Sequence, residues 1–301
     1  MKEIEMPIAY MKRTQDYYAA LGYGAPYAWA HFAQVPFSVL EKPLNDCAVA
    51  LVTTAAPYQA DKGDQGPGAP YNAAAKFYEV YALPSADTPD LRISHIAIDR
   101  DHTTAEDQET YFPLHALKTA ATQGRIGRVA PRFFGLPTNR SVRTTLDVDA
   151  QTLLAQCRAD AVDAVILVPN CPVCHQSVSL AARVLEAGGI ATVVMGAARD
   201  IVEHVGVARF VFSDFPLGNS AGRPNDPASR DLTMRLALDL LEQADGPRTT
   251  VQSPLKWTGA ADWQSDYSNA AKLSPEEIAR RRQAFDDGKA VAKSVLSGNA
   301  H

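Results

Sequence analysis

The residues best suited to chemistry are two cysteines three positions apart, in Cys171-Pro172-Val173-Cys174, followed at once by His175. They lie between a β-branched apolar run, Ala161 to Val168, and a segment from Pro172 to Ala187. That segment carries Val173, Leu180, Val184 and Leu185 at helical spacing and stops at Gly188-Gly189. With Pro169-Asn170 as the turn and Pro172 as the first helical residue, Cys171 takes the N-cap and Cys174 the third helical position. A helix start presents unpaired N–H groups and about half a positive elementary charge, which favours thiolate over thiol. Cys171 is the expected nucleophile, Cys174 the expected resolving thiol, and His175 a proton donor or a stabiliser of the thiolate. This chemistry needs Cys171 in an accessible cavity. Two other readings of the pair stay open. One is half of a zinc site, although no second CxxC or spaced His pair completes the ligands, and the other is inert packing. The thiol reading assigns no metal and no cofactor.

Flanking polar residues are candidates for substrate binding. His95, Asp99, Arg100, Asp101 and His102 cluster at the end of an expected strand from Leu91 to Ile98. There they bind a carboxylate or carry a proton, or else form a strand-end ion-pair network. Arg132, beside Phe133 and Phe134, reaches a carboxylate or stacks on a ring. Gly218 to Arg223, with Asn219, Ser220 and Arg223, is either a nest of N–H groups around an anion or a plain loop before a helix. It lacks the lysine and spacing of a phosphate loop, and no GxGxxG follows a strand, which disfavours nucleotide binding.

These residues need a scaffold, and the second half of the chain spells one out. Ala150 to Arg158 reads as helix, Ile190 to Met195 as strand, Ala197 to Val205 as helix, Ala208 to Phe212 as strand and Pro227 to Gln243 as a long helix. Alternation with short connections implies an open, mostly parallel α/β sheet with flanking helices. The first half is less clear. Ala48 to Thr54 reads as a buried strand, Ala60 to Pro70 as loop, and Pro113 to Gln123 as helix. A boundary near 145 divides the chain into two α/β lobes, 1–145 and 146–301. The aromatic tail with Trp257, Trp263 and Tyr267 is expected to pack back across the domain. Ser274-Pro275-Glu276-Glu277 opens a terminal helix reaching about Leu296.

Composition narrows the partners. The chain has 301 residues, 46% hydrophobic and 21% charged, with a net charge of -5. That is enough length for a sizeable core and the wrong charge balance for a dedicated nucleic-acid binder. Arg280-Arg281-Arg282 sits beside Glu276 and Glu277 and reads as a solvated helix face. No stretch approaches the about 18 apolar residues of a membrane span. The opening Met1-Lys2-Glu3-Ile4-Glu5 lacks the features of a secretory signal, so the expected location is cytoplasmic. Four cysteines are too few for a disulfide scaffold, and Cys157 inside an expected helix reads as packing.

The stretch Val168-Pro169-Asn170-Cys171-Pro172-Val173-Cys174-His175-Gln176-Ser177 and its continuation to Arg183 resembles the corresponding segment of the glycine/sarcosine/betaine/D-proline reductase family, the component often called selenoprotein B. So do Ile93 to His102, Gly124 to Gly127, Ala130 to Phe133, Ala198 to Glu203 and Asp214 to Asn219, a resemblance running from about 91 to 257. It implies reductive cleavage of a bond at an activated carbon, typically carbon–nitrogen, by a selenolate or thiolate that a neighbouring thiol resolves. This chain has cysteine and no selenocysteine, and Ser220-Ala221-Gly222 stands where relatives often have Pro-Cys-Gly. Family enzymes commonly work with further subunits, some carrying a pyruvoyl group.

The expected partners are a small polar substrate, an external thiol or thioredoxin-like reductant, and further copies of the chain in a homo-oligomer. Two alternatives remain: a cofactor-free cysteine racemase, isomerase or lyase, and a non-catalytic subunit of a reductase complex.

Overall fold

Alternate residues of the central strands face opposite sides, and both sides are apolar, as a strand buried on both faces requires. Ala164, Ile166 and Val168 join one core with Val49 and Leu51, whereas Val165 and Leu167 join a second core with Ala50 and Val52. The computed structural model describes residues 6–93, 95, 97–258 and 263–298.

In chain order the strands are β1 (Ala48–Thr53), β2 (Ala56–Pro57), β3 (Tyr81–Pro84), β4 (Leu91–Arg92) and β5 (Arg128–Val129). They continue as β6 (Arg132–Gly135), β7 (Ala164–Val168), β8 (Ala191–Gly196), β9 (Arg209–Phe212) and β10 (Thr249–Gln252). The helices are α1 (Tyr10–Ala20), α2 (Leu114–Thr122), α3 (Val142–Thr144), α4 (Ala150–Ala159) and α5 (Pro172–Ala187). After them come α6 (Arg199–Val205), α7 (Pro227–Gln243), α8 (Trp263–Asp266) and α9 (Pro275–Gly298).

The main sheet runs β10-β9-β8-β7-β1-β6-β3, with β5 also pairing β1. Its pairings are parallel except that between β3 and β6. The architecture is therefore α/β with an open, mostly parallel sheet. Strands from both sides of residue 145 share it, since β1 pairs β7 from Val49–Ala164 to Thr53–Val168. Leu153, Cys157, Val178, Ala181, Leu185 and Val202 of α4, α5 and α6 pack on one face. Leu117, Ala120, Met234, Leu238 and Leu241 of α2 and α7 pack on the other. Among the described residues no helix is long and apolar enough to cross a membrane.

The strand expected over Leu91 to Ile98 is cut to Leu91–Arg92, paired antiparallel with Ala56–Pro57. Its partner ends at Pro57, which has no N–H to continue a ladder. Ser94 and Ile96 of that expected strand lie outside the described residues. β7 starts at Ala164 rather than Ala161, because Ala161 takes a left-handed φ of 49° in the preceding turn. α1 had no sequence signal. Trp263 and Tyr267 of the aromatic tail are buried against Tyr10, Ile201 and Leu217, and Ser274 Oγ accepts the Glu277 N–H at the start of α9.

Candidate functional site

Between β1 and β7 the chain changes direction across the sheet. β7 leads through α5 to β8 on one side, and β6 lies on the other side of β1. Ligands in open α/β sheets bind at such a switch point, beyond the carboxyl ends of the strands. The loop from β7 is fixed there by two bonds. Asn170 N–H donates to Thr54 Oγ1 at 3.2 Å, and Ser220 Oγ–H donates to the Pro169 carbonyl at 2.7 Å.

The next residue, Cys171, is the N-cap of α5 with an extended backbone, and Pro172 opens the helix. Its Sγ accepts the Cys174 N–H at 3.3 Å, so a sulfur performs the capping that an oxygen usually provides.

Three groups converge on the other sulfur. Thr138 Oγ1 lies 3.2 Å from Cys174 Sγ, and the His95 ring and the Cys171 thiol stand close enough to act on its charge. The ligand atoms of His95, Cys171 and Cys174 all lie within 4.8 Å of one another. Burial opposes ionisation of Cys174, but the hydrogen bonds and the neighbouring ring outweigh it and hold its pKa well below the ordinary thiol value. Cys171 moves the other way. Burial, and the charge it shares with Cys174, push its thiol well above the ordinary value. The two sulfurs are coupled, and their surroundings favour negative charge on Cys174 over Cys171. At the helix start the N-cap sulfur accepts the Cys174 N–H, and side chains from other loops act on the sulfurs as well.

The structure assigns His175 a different setting from the proton donor read in the sequence. The ring is fully buried, its Nδ1–H donates to the Cys171 carbonyl at 2.8 Å, and Nε2 accepts the N–H groups of Ala197 and Ala198 at 2.9 and 3.1 Å. Both nitrogens are occupied, and burial lowers the pKa to about 4. A Cβ on Gly196 would stand 2.9 Å from this ring, so the end of β8 has to be glycine to admit it.

Of the expected substrate-binding residues, His95 meets the cysteines. Asp99 and His102 instead clamp their own loop. Asp99 N–H donates to the Leu217 carbonyl, and His102 Nδ1 lies 2.9 Å from Asp99 Oδ1 with Asp266 on its far side at 3.5 Å. Asn219 Nδ2–H donates to the Pro216 carbonyl, whereas Ser220 touches the cysteine loop through Pro169. Arg223 pairs with Asp226 at the start of α7. Arg132 stands at the opposite end of the sheet, where Nε and Nη2 each donate to an Asp160 oxygen at 2.9 Å. It begins β6, and the site lies beyond the strand's far end.

The thiols are covered. Cys171 is 4% exposed and Cys174 0%, under Tyr27, Trp29 and Ala97. The open cavity expected at Cys171 is thus replaced by a roof, partly built from the segment after α1. Gln176 ties that segment down: the Ala30 N–H donates to Oε1, and Nε2–H donates to the Tyr27 hydroxyl, both at 2.7 Å.

Sequence reading also missed three neighbours of the sulfurs. Lys76, whose Nζ–H donates to the Thr138 carbonyl, and Arg140, whose Nη2–H donates to the Tyr18 hydroxyl, both act electrostatically on Cys171. Thr138 and Arg140 follow the carboxyl end of β6. That position was the available signal, because loops leaving that edge of a parallel sheet surround the ligand crevice.

Comparison with known proteins finds relatives. The chain is 29% identical over 204 residues to D-proline reductase subunit gamma of Acetoanaerobium sticklandii, covering 67% of this chain and 80% of the relative. It is 24% identical over 212 residues to glycine reductase complex component B subunit gamma of Carboxydothermus hydrogenoformans, covering 69% of this chain and 47% of the relative. The chain thus spans about half the length of the second relative. No protein-family model matches, and no solved structure matches. The motifs around Cys171 and these two matches agree, and the chain is a cysteine-containing relative of the glycine and D-proline reductase family.

Proposed function

We propose that the chain is a thiol-dependent reductase that cleaves a carbon–nitrogen bond of a small amino-acid substrate. The observation that carries this is the convergence of Thr138, His95 and Cys171 on Cys174 Sγ at the sheet's switch point. It supports a buried thiolate close beside a second thiol.

In the proposed step Cys174 takes the Cys171 proton as the Cys171 sulfur attacks the activated carbon. The C–S bond forms, the C–N bond breaks, and a protonated amine leaves as neutral amine. Cys174 then attacks the Cys171 sulfur. The disulfide forms, the C–S bond breaks, and the carbon leaves with its electron pair and the proton that Cys174 held. Two electrons pass from the dithiol to the substrate carbon, and an external thiol or thioredoxin-like reductant restores the dithiol. Lys76 and Arg140 supply positive charge beside Cys171 for a substrate carboxylate. His95 and Ser220 stand at the same edge, and His175 positions the Cys171 backbone.

A second reading is supported by the names of both relatives, each a subunit: the chain then works only with partner subunits, and its isolated dithiol does not turn over.

Intact-mass measurement of the reduced chain with D-proline or glycine tests the proposal. Loss of two hydrogens from the protein together with reduced product supports the reductase. Solvent deuterium entering the substrate with the dithiol intact would instead indicate cysteine base chemistry of the racemase kind. No change in protein or substrate until another subunit is added favours the subunit reading.

A further inference from the structure

We propose that His95, Cys171 and Cys174 form a binding site for a divalent cation of the zinc class, and that metal binding and disulfide formation are mutually exclusive states of the same two sulfurs. The three ligand atoms lie within 4.8 Å of one another, and all three residues are buried. Two cysteines separated by two residues at a helix start, joined by a histidine from a distant loop, make a donor set suited to a borderline-soft ion. His95 is remote in sequence, so no spacing motif announces it.

The surroundings fit an ion better than they fit a bare cluster. The Cys174 N–H donates to Cys171 Sγ at 3.3 Å, and Thr138 Oγ1 lies 3.2 Å from Cys174 Sγ. Bonds of this kind fix and stabilise thiolate ligands from outside the coordination sphere. Two thiolates and a neutral imidazole balance a dication, which removes the cost of leaving net charge in a buried site. His95 Nδ1 and both amide atoms of Asn170 are buried without a hydrogen-bond partner, so the vicinity retains polar capacity that its own protein contacts do not use. Three protein ligands leave a fourth position for water or a small thiol.

Binding moves no electrons. The ion displaces whatever protons the thiols hold, and both sulfurs remain reduced. Metal binding needs only these sulfurs and the ring, whereas its effect on turnover rests on the reductase reading.

The full chain, reduced with a phosphine and freed of metal, is titrated with Co2+ alone and then with Zn2+ against a chromogenic chelator. The expected result is one equivalent of Co2+ with thiolate-to-cobalt charge transfer and the intense visible absorption of a four-coordinate ion, displaced by Zn2+. His95→Gln is expected to weaken binding by roughly 10–100-fold, Cys171→Ser and Cys174→Ser to remove most of the charge-transfer band, and Cys47→Ser to change nothing. Peptide mapping after alkylation gives a second readout on wild-type protein, in which Zn2+ should shield Cys171 and Cys174 together. Absence of the thiolate–cobalt band in folded wild type, or equal alkylation of both cysteines with and without Zn2+, would overturn the proposal. Neither readout uses turnover, so metal binding can fail while the reductase reading stands, and the reverse.

Discussion

The Nδ1–H of His175 donates to the carbonyl of Cys171 across 2.8 Å, tying the N-cap of α5 to a ring one turn further along. The ring's other nitrogen accepts the N–H groups of Ala197 and Ala198. One neutral imidazole therefore joins the starts of α5 and α6, and it has to stay neutral because Nε2 is already an acceptor.

Acid should act through this ring. His175 titrates at about 4 against an ordinary value of 6.5, so between those values the unfolded chain binds a proton that the folded chain does not. The associated stability is complete above about pH 6.5 and is lost as pH falls towards 4, up to roughly 3 kcal/mol. Asp149, raised from 3.8 to about 6 by burial, contributes with the opposite sign. The difference between wild type and His175→Gln isolates the ring. Thermal melts should show the gap between them narrowing from pH 7 to pH 5, and a constant gap would refute the assignment.

Thr138 tests the charge on Cys174. Thr138→Val keeps the shape and removes the hydroxyl that lies 3.2 Å from the sulfur. The Cys174 pKa should rise, because a hydrogen bond that favours the charged form is lost. The pH dependence of iodoacetamide alkylation, followed at the Cys174 peptide, measures it. An unchanged profile would mean that the hydroxyl does not support a thiolate.

The two cysteine variants should differ in direction. Cys174→Ser removes the thiol that ionises readily and leaves Cys171 in a buried setting that raises its pKa. Its alkylation should then need alkaline solution. Cys171→Ser removes the neighbour that lowers the Cys174 pKa most but keeps Thr138 and His95 beside that sulfur, so Cys174 should react at a lower pH than Cys171 does in Cys174→Ser. The reverse order would assign the charge to the helix cap instead.

Much of this site was legible because it sits on strongly patterned chain. The Ala164–Val168 run, Pro172 at the first helical position and Gly188 after Ala187 fix α5 within a residue, and both thiols with it. What escaped depends on contacts between remote segments. Thr138, Lys76 and Tyr27 lie on loops with no period to read, and nothing local distinguishes Arg132 at the start of β6 from Arg140 beyond its end. The direction of the thiol pKa changes escaped for a related reason: the helix-start argument counts backbone N–H groups, whereas Thr138 and His95 from other loops act on the Cys174 sulfur.

Access is the remaining consequence. Gln176 holds the covering segment at two points, accepting the Ala30 N–H and donating to Tyr27 Oη, each at 2.7 Å. Gln176→Ala breaks both bonds and leaves the Ala30 N–H without its partner, which favours a solvated, opened segment over the closed one. The core beneath is apolar and independently packed, so the global melting temperature should fall only slightly. A bulky maleimide should react with Cys171 roughly tenfold faster, corresponding to about 1.4 kcal/mol off the cost of opening. A small reagent such as iodoacetamide should gain less, because it needs a smaller opening. Equal acceleration of both reagents with a large fall in melting temperature would point to general unfolding, and no acceleration would mean that Tyr27 and Trp29 are not what shields the sulfur.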